Sequence, residues 1–367
     1  MKILLYLKSK DFTYGGPAYV CLSLKNFFRK YNLLNDSEIE IKDDNEFKKL
    51  SKNELSKEIS KYNLVSIHGI WSFRNSFIAK ICRKNFIPYT ICLHGMLDPW
   101  SWKKNYFFKF IFYLFYLKKD FQYASSIHCL NRFEFELTKK YLKNNNVFIF
   151  ENLLDDKSYD IKNKIFKSKK PGTLQILYLG RITEKKGLDK FISAIKHVDK
   201  NFLLRIVGPS STIEDRKYLL KLKKITKELK LEHKVKFFEP IKENLKKSDI
   251  INESDFFVLP SMAEGDSVAL KESVLHGLPL IITKNCKFEI EHNNMKFGYY
   301  LNNDFLNVKK IIETATAMNE NEYNMLRKNA LSYSEKFKIS RSKIYILYEI
   351  FENIIRSKIN KNILKVT

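Results

Sequence analysis

Short apolar runs alternate with longer amphipathic segments along nearly the whole chain, and the alternation is laid down twice. The first series predicts strands over 2–7, 64–68, 88–93, 126–129 and 147–150, with helices between them such as 17–29, which Pro17 opens. A polar, lysine-rich stretch, 155–172, then breaks the pattern. The second series predicts strands over 175–179, 202–207, 235–238, 256–259 and 280–283, separated by helices around 186–198, 215–229, 266–276 and 308–318. Residues 341–355 carry aromatic and aliphatic side chains at helical spacing and close the chain as a long helix. Parallel strands need a crossover between them, so strand–helix alternation means a parallel sheet covered on both faces. Two series in 367 residues, too long for one ordinary core, mean two doubly wound α/β domains. The expected division is a first domain over 1–155, a linker over 156–172, a second domain over 173–335 and a closing helix over 336–367.

Five scattered cysteines without Cys-x-x-Cys spacing read as small buried residues rather than a disulfide framework. Met1 to Leu7 is a short apolar run followed by Lys8, Lys10 and Asp11; it reads as a first strand, since a signal peptide needs a longer apolar core. A formal charge of +25 points either to compositional bias or to an anionic partner: nucleic acid, a membrane face or a phosphorylated substrate. With no zinc finger and no aromatic-glycine RNA-binding signature, nucleic acid is the reading disfavoured.

Function is written most densely between Pro260 and Pro279. Glu264 follows a buried-looking strand and a Pro-Ser turn; Glu272 follows after seven intervening residues, inside a helix ended by Gly277 and Pro279. The amides opening a helix at Val268 make a ready phosphate site beside Glu264, Gly265, Asp266 and Ser267. With one glutamate for a sugar, the other for a ribose and a diphosphate between, the layout is that of a nucleotide-sugar site. About eighty residues earlier, a strand ends in Gly180, Arg181 follows directly, and Lys186 precedes Gly187 at a helix start. Arg181 offers a fork for phosphate oxygens and Lys186 a point charge, so the two could neutralise a departing diphosphate; a solvated basic loop is the plainer alternative.

Together these segments resemble the retaining glycosyltransferases of group 1, which adopt the GT-B fold: two Rossmann-like domains facing a cleft, with a terminal helix crossing back to the first. Gly15 to Ala18 looks like the family's glycine loop, and His94 to Trp100 like its acceptor-domain histidine segment. Phe150 to Asp155 resembles its asparagine motif, and Leu204 to Gly208 with the E-x7-E pair of Glu264 and Glu272 completes the donor side. The resemblance implies that Arg181 and Lys186 bind the donor diphosphate, that Glu264 contacts the sugar hydroxyls, and that Glu272 holds the ribose. It further implies that His94 reaches the sugar from the first domain, that Gly16 approaches phosphates or sugar, and that Gly208 and Val268 line the donor site. Gly15, His68 and Asp98 fall on the acceptor side, His68 with a packing role as the alternative. Two departures stand out: Asp266-Ser267 where the family often has Phe-Gly, and Glu239 where a glycine is often found.

The other histidines share no ligand spacing and no Asp-x-Asp motif is present, so neither a metal nor a metal-bridged donor is indicated. No Gly-x-Ser-x-Gly elbow and no G-x-G-x-x-G fingerprint occurs. The expectation is a metal-independent retaining transfer from a UDP- or GDP-linked sugar to a hydroxyl of a glycan or polyisoprenyl-diphosphate-linked acceptor, in cell-surface polysaccharide assembly such as O-antigen, capsule or lipopolysaccharide. The rivals are a GT-B-like sugar-nucleotide epimerase or hydrolase and a non-catalytic nucleotide-sugar binder. One stretch, Lys103 to Lys119, sets aromatics between lysines and is interrupted by Lys109. It is too short to span a bilayer of roughly 30 Å. It reads either as a membrane-interface segment, with Lys103, Lys104, Lys118 and Lys119 on anionic lipid, or as an ordinary amphipathic helix. The first reading puts the protein at the inner face of the cytoplasmic membrane.

Overall fold

The computed structural model describes residues 1–363 apart from 12, 14, 143–145, 162–171 and 293–294. The chain divides into two compact units, Met1–Leu153 with Ile339–Thr367, and Leu154–Lys338.

In the first unit, β1 (Ile3–Leu7), β2 (Ile39–Asp43), β3 (Leu64–His68), β4 (Tyr89–Cys92), β5 (Ser126–Cys129) and β6 (Val147–Ile149) form a parallel sheet in the order β2-β1-β3-β4-β5-β6. All five side chains of β1 are buried, as a central parallel strand requires. Leu4 and Tyr6 enter one core cluster; Ile3, Leu5 and Leu7 enter the other, with Phe27 and Phe28 of the helix Gly16–Lys30. The terminal helix Arg341–Ile363 packs into that second cluster through Ile344, Leu347 and Phe351, whose spacing puts them on one helical face. It crosses back onto the first unit as expected.

In the second unit, β7 (Leu174–Leu179), β8 (Phe202–Val207), β9 (Val235–Phe238), β10 (Phe256–Leu259) and β11 (Leu280–Thr283) join β14 (Gly298–Leu301) in a parallel sheet ordered β14-β11-β10-β7-β8-β9. A short hairpin, β12 (Glu291–His292) with β13 (Met295–Lys296), precedes the last strand. Every strand anticipated from the sequence is present within a residue or so of its ends; β2, β14 and the hairpin were not anticipated. β2 and β14 are edge strands with partly exposed side chains, so neither carries the continuous apolar run that marks a central strand.

Of the expected linker, residues 162–171 lie outside the described residues. Its beginning is a packed part of the second unit: the 3-10 turn over Asp156–Ser158 is capped by Asp155, and Tyr159 is buried.

Candidate functional site

In the second sheet, β7 is followed in sequence by β8 on one side, while β10 lies on the other. Strand order thus reverses between β7 and β10, the position at which open α/β sheets bind ligands outside their carboxyl ends. The loops there are pressed together through glycines. A Cβ on Gly208 would stand 1.9 Å from the Gly180 carbonyl oxygen, and one on Gly187 2.3 Å from that of Pro260; both glycines have positive φ. Gly180 N–H donates to the Val207 carbonyl at 3.0 Å, Ile182 N–H to Pro209 at 2.8 Å, and Met262 N–H to Lys185 at 2.8 Å. The loops after β7, β8 and β10 therefore form one fixed edge.

At that edge Lys186 Nζ meets Glu264 Oε1 at 2.6 Å, with both side chains largely buried. The Ser261 hydroxyl donates to the same oxygen, and Lys287 Nζ donates to the Glu264 carbonyl at 2.9 Å. Burial pushes the Glu264 carboxyl up, but the charges of Lys186 and Lys185 and the hydrogen bonds from Lys186 and Ser261 outweigh it and hold the group below its ordinary range. Glu264 is thus an acceptor, set in a ring of ammonium groups. Arg181 Nε is held at 2.9 Å by Asp215 Oδ2, which also closes a capping box with Thr212 at the start of the helix Ile213–Glu228.

The helix expected after Glu264 runs from Val268 to Leu275, with the Ser267 hydroxyl accepting from Leu270 N–H at 3.4 Å. Asp266, one of the two departures, is turned onto the helix's own Lys271, 2.7 Å away, with both groups buried. Its charge is therefore met inside the unit. Glu272, 2 % exposed, accepts through Oε1 from the Tyr159 hydroxyl at 2.7 Å and from Lys247 Nζ at 3.0 Å. Among the described residues both donors address that same oxygen. His276 donates from Nδ1 to the Glu272 carbonyl at 2.7 Å and meets the Ser248 hydroxyl through Nε2 at 3.0 Å, which fixes the far end of the helix.

Tyr159 and Lys247 were not anticipated. Tyr159 had a signal, as the one aromatic among residues 151–165. Lys247, on the helix Asn244–Asn252, had none, lying in a run of charges in a chain with 66 lysines and arginines.

Residues 160–336 match the family model described as glycosyl transferases group 1. No curated protein matches the chain by sequence. Among solved structures it is similar to the sucrose-phosphate synthase of Thermosynechococcus elongatus, at 12 % identity and TM-score 0.76 over 97 % of this chain and 100 % of that one. It is also similar to HepE of Anabaena, solved with UDP and glucose, at 15 % identity and TM-score 0.73 over 96 % and 100 % of the two chains. A lipopolysaccharide outer core galactosyltransferase, WaaB, aligns at 15 % identity and TM-score 0.63 over 98 % and 100 %. The two parallel, Rossmann-like sheets are those of the GT-B fold. The matched span contains Arg181, Lys186, Gly208, Glu264, Gly265, Asp266, Ser267, Val268 and Glu272.

In the first unit, His68 ends β3, Cys92 ends β4 and His128 lies on β5, and the strand register sets them in a row at the carboxyl edge. His94, two residues past β4, adopts φ 50° and brings Nε2 within 2.9 Å of His68 Nδ1. Burial pushes His94 down to about 3, with the charge of His128 adding to it. Burial likewise pushes His128 down to about 4, and His68 well below the ordinary histidine range. All three are therefore neutral near pH 7. His94 can donate or accept a hydrogen bond but brings no charge. Glu134 fixes the turn, accepting from Gly95 N–H and, at 2.7 Å, from Leu130 N–H. His68, Cys92 and His94 also bring one ligand atom each to within 4.8 Å of one another, a grouping that positions 68, 92 and 94 do not reveal as a spacing motif. Asp98 caps the short helix Pro99–Lys103 by accepting from Trp100 N–H at 2.9 Å. Gly15, at φ 122°, leads into the helix beginning at Gly16, where a Cβ would meet nothing within 4 Å.

Proposed function

We propose that the protein moves a sugar from a nucleoside diphosphate sugar to an acceptor hydroxyl, with retention of configuration and without a metal. The observation that carries this reading is the Lys186–Glu264 pair at the switch point between β7 and β10, one loop from the amino end of the helix Val268–Leu275. A diphosphate at that helix end meets unpaired amides and the ammonium of Lys186, with Arg181 at the neighbouring loop. Gly208 and Gly265 keep backbone close to it. Glu264 takes sugar hydroxyls, and Glu272 takes a ribose hydroxyl through Oε2 while Tyr159 and Lys247 hold Oε1. The HepE structure with UDP and glucose supports a UDP-linked donor.

Neither glutamate in this scheme attacks the sugar. The bond from the anomeric carbon to the diphosphate oxygen breaks and its electron pair leaves with the diphosphate. The acceptor oxygen then bonds to the same face, and its proton passes to the departing phosphate oxygen. Lys186 and Arg181 stabilise the charge that develops on the leaving group, and neutral His94 gives the first unit a hydrogen-bonding group that brings no charge. Gly15, Gly16, His68 and Asp98 border the acceptor. That acceptor is a glycan or polyisoprenyl-diphosphate-linked glycan at the inner face of the cytoplasmic membrane, a reading supported by the +25 charge and by the likeness to a lipopolysaccharide galactosyltransferase.

Calorimetric titration with UDP, GDP, ADP and NAD, alongside Glu272→Ala and Lys186→Ala, tests the donor site. Selective binding of one nucleoside diphosphate, weakened in both variants, is the expected result. No binding, or variants that bind like the wild type, would overturn the assignment. Product analysis with and without acceptor separates transfer from epimerisation and hydrolysis.

A further inference from the structure

The segment from Tyr106 to Tyr123 folds as one rod: an α-helix over Tyr106–Phe112, a π turn over Tyr113–Leu117 and an α-helix over Lys118–Tyr123. Its inner face is fixed in the first unit. Leu117 and Phe121 are buried in the core, and Asp120 pairs with Arg83 at 2.7 Å. Its outer face is left exposed. Phe107, Phe108 and Phe115 are 67, 74 and 73 % exposed, and Phe73, from the neighbouring helix Phe73–Lys84, is 68 % exposed. Phe73 meets Phe112 and Tyr116 edge-on, with ring centroids 5.0 and 5.3 Å apart, so two elements share one aromatic surface. Lys109, which interrupts the apolar run in sequence, does not interrupt this surface. It folds inward, over the Trp71 ring at 5.1 Å and onto the Ser101 carbonyl. Lys103, Lys104, Lys118 and Lys119 are exposed and flank the patch at both ends.

A contiguous exposed aromatic patch of this kind marks an interaction site. Rings in the middle with ammonium groups at both ends match the layering of an anionic bilayer, where acyl boundary lies beneath headgroup phosphates. Among the described residues no helix is long and apolar enough to cross a membrane. We infer that this face, Phe107, Phe108, Ile111 and Phe115 together with Phe73, inserts into the interfacial region of an anionic lipid membrane, with the four lysines on the headgroups. The inference deepens the membrane-facing acceptor reading and rests on it: insertion by aromatic rings, not lysine charge alone, holds the protein at the surface.

Co-sedimentation of the full chain with vesicles of equimolar phosphatidylglycerol and phosphatidylcholine tests it, with phosphatidylcholine vesicles as reference. The variants are the triple Phe107→Ser, Phe108→Ser, Phe115→Ser and the quadruple Lys103→Gln, Lys104→Gln, Lys118→Gln, Lys119→Gln. The triple variant is expected to lose at least tenfold in vesicle partitioning at low and high salt, with unchanged nucleotide titration and unfolding temperature. The quadruple variant should lose partitioning chiefly at low salt. A wild-type chain that does not sediment, or a triple variant that sediments like it, overturns the inference. So does a patch that instead joins two copies, seen as a dimer that the triple variant dissociates while vesicle binding persists. The nucleotide titration stands or falls separately, because its residues lie in the other unit.

Discussion

Lys186 and Glu264 lie 78 positions apart in the chain and 2.6 Å apart in the fold, one at the end of the loop after β7 and the other on the loop after β10. The pair makes each partner responsible for the other's state. Lys186 is the charge that offsets the cost of burying Glu264, and Glu264 is what holds the ammonium at the loop edge.

Replacing Lys186 with Met removes the charged group proposed to hydrogen-bond the donor diphosphate. Nucleoside diphosphate affinity should fall roughly 10- to 100-fold, the equivalent of about 1.5–3 kcal/mol. The substitution also alters how stability depends on pH. In the wild type the folded Glu264 titrates below its ordinary range, so its contribution is present above pH 4.5 and is lost as pH falls through the folded value. Without Lys186 burial is less opposed and the folded carboxyl rises, so stability should decline as pH increases from 4.5 toward 7 relative to the wild type. Thermal unfolding of both proteins across that range measures the difference in slope.

Tyr159→Phe keeps the ring that meets His276 edge-on at 5.6 Å and removes only the hydroxyl that Glu272 accepts. Lys247 then holds the carboxylate alone. Nucleotide binding should weaken about 3- to 10-fold, in line with roughly 1 kcal/mol for one hydrogen bond, while the unfolding temperature changes little. If calorimetry gives wild-type affinity, Glu272 does not depend on this contact.

Gly208→Ala places a methyl 1.9 Å from the Gly180 carbonyl at φ 155°, where neither backbone can yield without opening the β7–β8 edge. The loss should be about 3–5 kcal/mol, at the high end for a single substitution. Gly16→Ala, facing open space, should stay within about 0.5 kcal/mol. Chemical denaturation of the two variants provides the comparison.

The central strands and the donor-side helix were legible because parallel strands are buried on both faces and therefore read as unbroken apolar runs, as in Phe256 to Leu259 and Leu280 to Thr283. The alternation of Glu40 and Lys42 with Ile39 and Ile41 carries no such unbroken run, which is why β2 over Ile39–Asp43 escaped. Arg181, Lys186, Glu264 and Glu272 could be singled out because punctuation by Gly180, Gly187 and Gly277 marks the strand ends and helix limits around them. Their partners could not. Asp215, Tyr159 and Lys247 reach the site from 34, 113 and 25 positions away from the residues they hold, and nothing local marks a residue as another's counter-charge.

Acid should act on the first unit through its histidines. His94 and His128 titrate at about 3 and about 4 when folded, against 6.5 otherwise, and His68 also lies well below that value. The unfolded chain therefore binds protons that the folded unit refuses, and stability should fall as pH drops below 6.5. At pH 5 the loss is on the order of 2 kcal/mol per histidine when the groups act independently. Denaturation followed by the fluorescence of Trp71, Trp100 and Trp102, all in this unit, should shift to lower denaturant between pH 7 and pH 5, and His128→Asn should reduce the shift.

The same cluster bears on whether a metal is needed. His68 Nδ1 and His94 Nε2 share a hydrogen bond at 2.9 Å, so one of the two nitrogens carries the proton that a metal ion would have to displace. Burial also pushes the Cys92 thiol well above its ordinary range, which disfavours the thiolate that a soft metal requires. Both features favour the hydrogen-bonded cluster over a filled site near pH 7. Sugar transfer should therefore survive exhaustive dialysis against EDTA at full rate, and added Zn²⁺ should not raise it. If chelation abolishes transfer and Zn²⁺ restores it in the wild type but not in Cys92→Ser, the three side chains are a metal centre. Metal-independent transfer would then be the wrong reading.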